Sequence, residues 1–249
     1  MLIQSSCPPS WLIHPTEPTG RSVCLAYKDK RCCLANIGAS SKFNKSFLQD
    51  NTSRIVSLQP QVFYIEGYFI TADRFSICQT IFESMCKPNA KALFACNLSS
   101  SYVINDFPTE MKYFAENSDI LIGNASEFEK LREIYDFPES VGTITHFMDF
   151  HARKNAGKWK IIILTRGADG VSYYCQEPGG ERFTDEYPVE RIAQELIVDT
   201  TGCGDAFVAG FFTELNPKCI QRQTLRECIG RGAETALRKL RFAGGNLTN

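Results

Sequence analysis

The chain has 249 residues, 43% of them hydrophobic and 22% charged, with a formal net charge of −1. That length suits one or two soluble globular domains with a sizeable core. A balance this even excludes a long-range field that would attract nucleic acid or an acidic membrane, and no apolar run approaches the roughly 18 residues a membrane span needs.

The N-terminal MLIQSSCPPSWLIHP has neither a basic n-region nor a sustained apolar run, so no secretory signal is expected. Residues 21–27 (RSVCLAY) and 31–37 (RCCLANI) read as two strands around the polar turn KDK. Residues 1–18, the polar stretch SSKFNKSFLQDNTSR (40–54) and the segment around 150–158 read as soft spots. Four strand-length runs follow, VFYI (62–65), ALFAC (92–96), DILIG (119–123) and KIIILT (160–165). Each is apolar on both faces, the mark of a buried parallel strand. Helix-length segments lie between and after them. In 73–87, Phe75, Ile77, Ile81, Phe82 and Met85 fall at helical spacing, and 125–135 and 220–241 also read as helices. GADG (167–170) predicts a hairpin turn, with Asp-Gly as its signal. ELIVDTT (195–201) reads as the end of a further strand. Strands alternating with helices argue for an α/β sheet covered on both faces.

Eleven cysteines are scattered, with no CxxC pair, and only three histidines are present. Reduced thiols acting as small hydrophobes fit better than a disulfide framework or a zinc site. The expected compartment is therefore the cytoplasm, with the nucleus as a second.

The least ordinary stretch is DTTGCGDAFVAGFF, Asp199 to Phe212. Gly202 and Gly204 permit a tight turn, and AFVAGFFTEL (206–215) reads as the helix it opens. A glycine turn at a helix N-terminus presents unpaired N–H groups and the positive end of the dipole, which together bind an anion. Asp205 then has two readings. It is a helix cap, or it sits beside the bound anion as a general base that takes a proton from an attacking hydroxyl. The pattern is neither a Walker loop nor GxGxxG.

DTTGCGDAFVAGFF resembles the C-terminal signature of the ribokinase-like (PfkB) carbohydrate kinases, with Cys203 where Ala, Gly or Ser is usual. The resemblance implies a three-layer α/β sandwich with a mostly parallel central sheet and a small β lid. It makes Asp205 the catalytic base and Gly202, Cys203 and Gly204 the anion hole. Further blocks resemble the adenosine kinase branch of the family in the same order along the chain: EPTGRSVCL (17–25), KDKRCCLANIGAS (28–40), VFYIEGYFIT (62–71), ACNLSS (95–100), DILIGNASEFEKL (119–131), IIILTRGADG (161–170) and QELIVDTTGCGDAF (194–207). By this likeness residues 1–18 are an atypical N-terminal segment, 19–40 a partial lid hairpin and 41–249 the nucleotide-binding core. Arg31 would reach the transferred phosphate, although a solvated strand-end charge is equally compatible with it. Asn124 and Glu127 fill an Asn-x-x-Glu motif that organises Mg2+ and phosphate, where the bland alternative is a helix cap. Asp29 matches an acid associated with metal, with Lys30 departing from the pattern beside it.

Thr165, Gly167 and Gly170 resemble the loop on the ATP side, or form a plain hairpin turn. Gln194 would touch the nucleoside, or is simply a surface amide. Ser22, Cys33, Ala35 and Ile37 match residues lining the nucleoside pocket, and the period of two puts the last three on one strand face; that face could equally be core. Tyr68, Phe69 and Tyr102 are candidates for stacking on adenine, or are core aromatics. The resemblance implies ATP as donor and adenosine as acceptor, with AMP as product, and a monomer in a complete member.

Two features of the family have no match. No strand followed by Asp occurs in 1–17, and no Gly-Gly precedes residue 179. The expectation is an N-terminally truncated member, lacking central strands and half the sugar site, poorly stable, binding ATP weakly at best and with little or no turnover. A non-catalytic remnant or interaction protein is the alternative from a different class, and another sugar or nucleoside kinase of the same family is a third.

Overall fold

The computed structural model describes residues 13–27, 30–89, 91–138, 143–154 and 157–244. The chain divides into two compact units, Met1–Leu58 and Gln59–Asn249.

The first unit holds an antiparallel hairpin of β1 (Thr19–Tyr27) and β2 (Lys30–Gly38). The pair closes at its open end through a 2.8 Å bond from Ala39 N to Pro18 O. Both strands are longer than the sequence pattern suggested. Most of the polar stretch read as a soft spot lies in a helix, α1 (Lys45–Ser57), with Asn44 as its N-cap accepting from Phe47 N at 3.0 Å. Only Leu48 of α1 is buried, so the segment carries no apolar stripe for a pattern search to find.

The second unit is built on a six-stranded sheet in the order β3 (Val62–Glu66), β4 (Leu93–Asn97), β5 (Ile120–Asn124), β6 (Lys160–Thr165), β7 (Val171–Gln176), β8 (Arg182–Tyr187). β3 to β6 are parallel, and β7 and β8 turn back antiparallel. All four apolar runs are strands, shifted by at most a residue. The alternation within each strand feeds two layers. Leu93, Ala95, Ile120, Ile122, Ile161 and Ile163 face α7 (Cys203–Glu214) and α8 (Arg222–Lys239), packing on Phe207, Phe211, Leu225 and Ile229. The intervening residues face the opposite layer. There Phe94 meets Phe82 at 4.9 Å and Phe114 at 5.9 Å between ring centroids. That layer carries α2 (Phe75–Thr80), α3 (Ser101–Asp106), α4 (Pro108–Asn117), α5 (Ala125–Tyr135) and α6 (Thr143–Lys154). The helix expected over 73–87 is not uniform: after Thr80 it widens into a π-helical turn, Ile81–Cys86. Helices on both sheet faces give the three-layer α/β sandwich.

α7 and α8 touch at backbone level. A β-carbon on Gly210 would lie 2.6 Å from Arg231 O, and one on Gly232 would lie 2.9 Å from Phe207 O. The glycines are what allow the approach. Cys78, Cys86, Cys96, Cys175 and Cys228 are free and buried, and burial pushes the Cys78 thiol up to about 12. They fill core space. No described helix is long and apolar enough to cross a membrane.

Candidate functional site: a glycine turn and an adjoining cavity

The residues of ELIVDTT do not form a strand. Gln194–Leu196 is a single 3-10 turn and the remainder is irregular until the helix begins. Extended backbone there pairs with the end of α8, through Val198 N to Leu240 O at 2.8 Å, and not with the sheet.

Gly202 is the N-cap of α7 at φ 79°, ψ 7°. This left-handed conformation is readily reached only by glycine. It lets the chain reverse into the helix with Cys203 and Gly204 as the first two helical residues. Cys203 N donates back to Thr200 O at 3.2 Å, while Gly204 N and Asp205 N have no acceptor among the described residues. Those two amides are the orphan donors of a helix start. Asp205 stands at the third helical position, where an acid could reach back and cap. It does not: Gly202 has no side-chain cap, and the exposed Asp205 carboxylate receives no hydrogen bond from any described residue. Its Oδ2 lies 3.9 Å from where a β-carbon on Gly202 would be. The carboxylate is held at the mouth of the turn and left open.

Beside the turn lies a cavity of about 640 Å³, within the range of roughly 300–1,000 Å³ typical of small-molecule sites. Thr165, Gly167, Gly170, Gln194, Cys203 and Gly204 all line it. The antiparallel return of β7 makes this possible. Thr165 pairs with Val171 across the turn that GADG predicts, so residues 166–170 project over the cavity. The opposite wall is apolar: Ile192, Ile197, Phe207, the α8 residues Ala233, Ala236 and Leu237, and Leu240 just past its end. The sequence reading missed these α8 residues. Their signal was present as a run of small residues in GRGAETALRKL, which spares space on one helix face.

Asn124 and Glu127 are not in the cavity wall. They form a closed capping box at the start of α5. Asn124 Oδ1 accepts from Glu127 N at 3.0 Å, Glu127 Oε2 accepts from Asn124 N at 2.9 Å, and Glu127 Oε1 accepts from Asn124 Nδ2 at 2.7 Å. Glu127 is 5% exposed, and burial raises its pKa above the usual carboxylate value. Each of its oxygens accepts one bond from Asn124 and keeps a further acceptor site. The pair thus suits holding a metal-bound water, not direct ligation. No cluster of three or more metal-ligating side chains occurs among the described residues.

Tyr68 and Tyr102 are 52% and 58% exposed, with ring centroids 6.1 Å apart. They stand beyond the carboxyl ends of β3 and β4 and are not core aromatics. Phe69 carries the Arg74 guanidinium 4.8 Å over its ring. A polar cluster the sequence reading missed adjoins them. Glu66, ending β3, accepts from Ser99 Oγ, Tyr64 Oη and, at 3.2 Å, Asn97 Nδ2. Ser22, Arg31, Cys33, Ala35 and Ile37 all fall on the hairpin of the first unit, where Ser22 pairs with Ala35 and Cys24 with Cys33. Ile37 is 56% exposed there. Asp29 lies outside the described residues.

Residues 9–244 match the pfkB family carbohydrate kinases. The chain belongs to that family. This pfkB-family chain is 27% identical over 209 residues to an adenosine kinase of Schizophyllum commune, covering 83% of this chain and 59% of that protein. It is 26% identical over 218 residues to adenosine kinase 2 of Arabidopsis thaliana, covering 87% and 60% respectively. Among solved structures, Anopheles gambiae adenosine kinase in complex with P1,P4-di(adenosine-5) tetraphosphate superposes with a TM-score of 0.75 at 26% identity, over 93% of this chain and 65% of that one. Schistosoma mansoni adenosine kinase in complex with 2-fluoroadenosine superposes with a TM-score of 0.78 at 22% identity, over 95% and 66%. The chain thus spans about three fifths of the curated relatives it matches.

Proposed function

We propose that the protein binds ATP in the cavity beside α7 and transfers its γ-phosphoryl group to the 5′-hydroxyl of adenosine. The observation that carries this reading is the open carboxylate of Asp205 beside two unpaired amides, next to Gly204 in the wall of a nucleotide-sized cavity. Apolar walls from α8 and the 166–170 loop suit a planar base. Gly204 N–H and Asp205 N–H, with the dipole of α7, suit the phosphate charge. In the transfer the acceptor oxygen bonds to the γ-phosphorus as the bond to the β,γ-bridging oxygen breaks. ADP carries off that electron pair, and Asp205 takes the hydroxyl proton. The amides are fixed in place before charge develops, which is where such donors are most effective.

Mg2+ belongs to this reading through Asn124 and Glu127, which would hold water on an ion that neutralises phosphate charge. Arg31, Ser22, Cys33, Ala35 and Ile37 are the proposed lid contributions, with Asp29 beside the metal. Tyr68, Phe69 and Tyr102 are proposed to border the acceptor, and Gln194 to meet the nucleoside. Calorimetric titration of the chain with ATP, followed by an assay for AMP from adenosine, tests the proposal. Saturable ATP binding is expected, with any AMP formed depending on Asp205; no ATP binding would sink it.

A further inference from the structure

Lys239 is the last residue of α8 and is 1% exposed. Its Nζ donates to Phe242 O at 2.7 Å and stands 3.5 Å from Asp199 O. A lysine near a helix C-terminus commonly satisfies a carbonyl, but it does so from the surface, with its charge in water. Burying the ammonium costs several kcal/mol in general, and buried cations ordinarily sit against an anion. Here no carboxylate lies within ion-pair distance of Nζ among the described residues. Its hydrogen bonds go only to carbonyl oxygens, and the Asp199 carboxylate feels its charge from beyond contact distance.

Its location gives the burial a direction. A β-carbon built on Gly202 would lie 3.7 Å from Lys239 Cε, so the side chain runs directly behind the anion turn. The same region is tied a second time through Asp199. Asp199 Oδ1 accepts from Thr201 N and Oδ2 from Gly244 N, both at 2.8 Å. The backbone leading into the turn is therefore fastened to the chain that follows α8, and Lys239 stands at the junction with a positive charge that no carboxylate contacts directly among the described residues.

We propose that Lys239 is a positioning residue for the anion turn: it fixes the Asp199–Gly202 backbone and supplies, from behind, a permanent positive charge that favours phosphate at Gly204 and Asp205. This rests on the nucleotide reading of the cavity and adds to it a source of charge that touches no ligand.

The test compares wild type, Lys239→Met and Lys239→Arg by amide hydrogen exchange and by calorimetric binding of ATP and of adenosine, which has the base but no phosphate. Lys239→Met is expected to weaken ATP about ten-fold, the scale of a lost charge-assisted contact, and to leave adenosine binding unchanged. Exchange in the 200–206 peptide should quicken about ten-fold, with the β4 to β6 peptides as in wild type. Lys239→Arg should recover most of the ATP affinity. Equal losses for both ligands, or unaltered exchange at the turn, overturn the proposal. Should Lys239→Met fail to fold, Lys239→Gln takes its place, keeping a donor but no charge. ATP weakening with near-normal turn exchange supports the proposal there, and unchanged ATP affinity overturns it. Wild-type chain that binds no ATP removes the nucleotide reading, while the exchange comparison still decides whether Lys239 fixes the turn.

Discussion

Two helices of the second unit begin in nearly the same way and end up in opposite states. α5 starts with Asn124 as N-cap and Glu127 at the third helical position, and α7 starts with Gly202 and Asp205 in the same two places. At α5 every group finds its complement: amide to carboxylate, carboxylate to amide, with the acid buried. At α7 the N-cap has no side chain to accept from the helix, so the amides stay unpaired and the acid stays open. A side chain at the cap position closes a helix start; its absence leaves donors and a carboxylate free for something else. The difference separates a closed helix start from an open one.

The sharpest way to break this contrast is Asp205→Asn. Turnover should fall at least ~10²-fold, with melting temperature and ATP affinity near wild type, because the carboxylate makes no folded-state bond to lose. A melting temperature several degrees lower would show Asp205 to be a cap after all. Gly202→Ala comes next. A left-handed φ costs a β-carbon about 1 kcal/mol, so the turn should relax; ATP should weaken by about ten-fold if 1.4 kcal/mol is lost, as read by calorimetry. Asn124→Ala should act on stability, costing about 1 kcal/mol and lowering the melting temperature by roughly 2–4 °C; an unchanged melt would mean the box contributes nothing.

The smallest effect concerns pH. Burial raises the Glu127 pKa above its unfolded value, so the native state binds that proton more tightly. The stability this contributes is complete below the unfolded carboxylate range and is lost as pH rises through the raised folded value. Glu127→Gln removes the titration. Its denaturation midpoint relative to wild type should therefore climb with pH across that window, and a flat difference would refute the assignment.

The parts of the fold legible in the sequence are those where packing and pattern coincide. ILIGN and KIIILT are apolar on both faces because the sheet is covered on both faces, and NASEFEKLREIY shows both its cap and its apolar stripe. The turn DTTGCGDAF was legible because glycines and an acid at a helix start have few other uses. α1 was not, since it buries only Leu48 and its stretch reads as loop chemistry. LIVD has the letters of a strand, but its Ile197 lines the cavity, its Leu196 and Val198 are exposed, and its backbone bonds to Leu240 instead of a neighbouring strand. The state of Asp205 could not be read either. Whether an acid at the third position caps its helix depends on the geometry of a turn, and the letters are the same in both cases.

The glycine contacts between α7 and α8 bear on how such a turn is aimed. Where two helices meet through side chains, their separation can drift as those side chains are exchanged over generations or swing between rotamers. Where they also meet main chain, as Gly210 does at Arg231 O and Gly232 at Phe207 O, that part of the contact has no rotamer. The spacing between the cavity wall on α8 and the amides at the tip of α7 is then set in part by peptide geometry. The molecule carries a ruler between its cavity wall and its open helix start, and part of that ruler is cut in main chain.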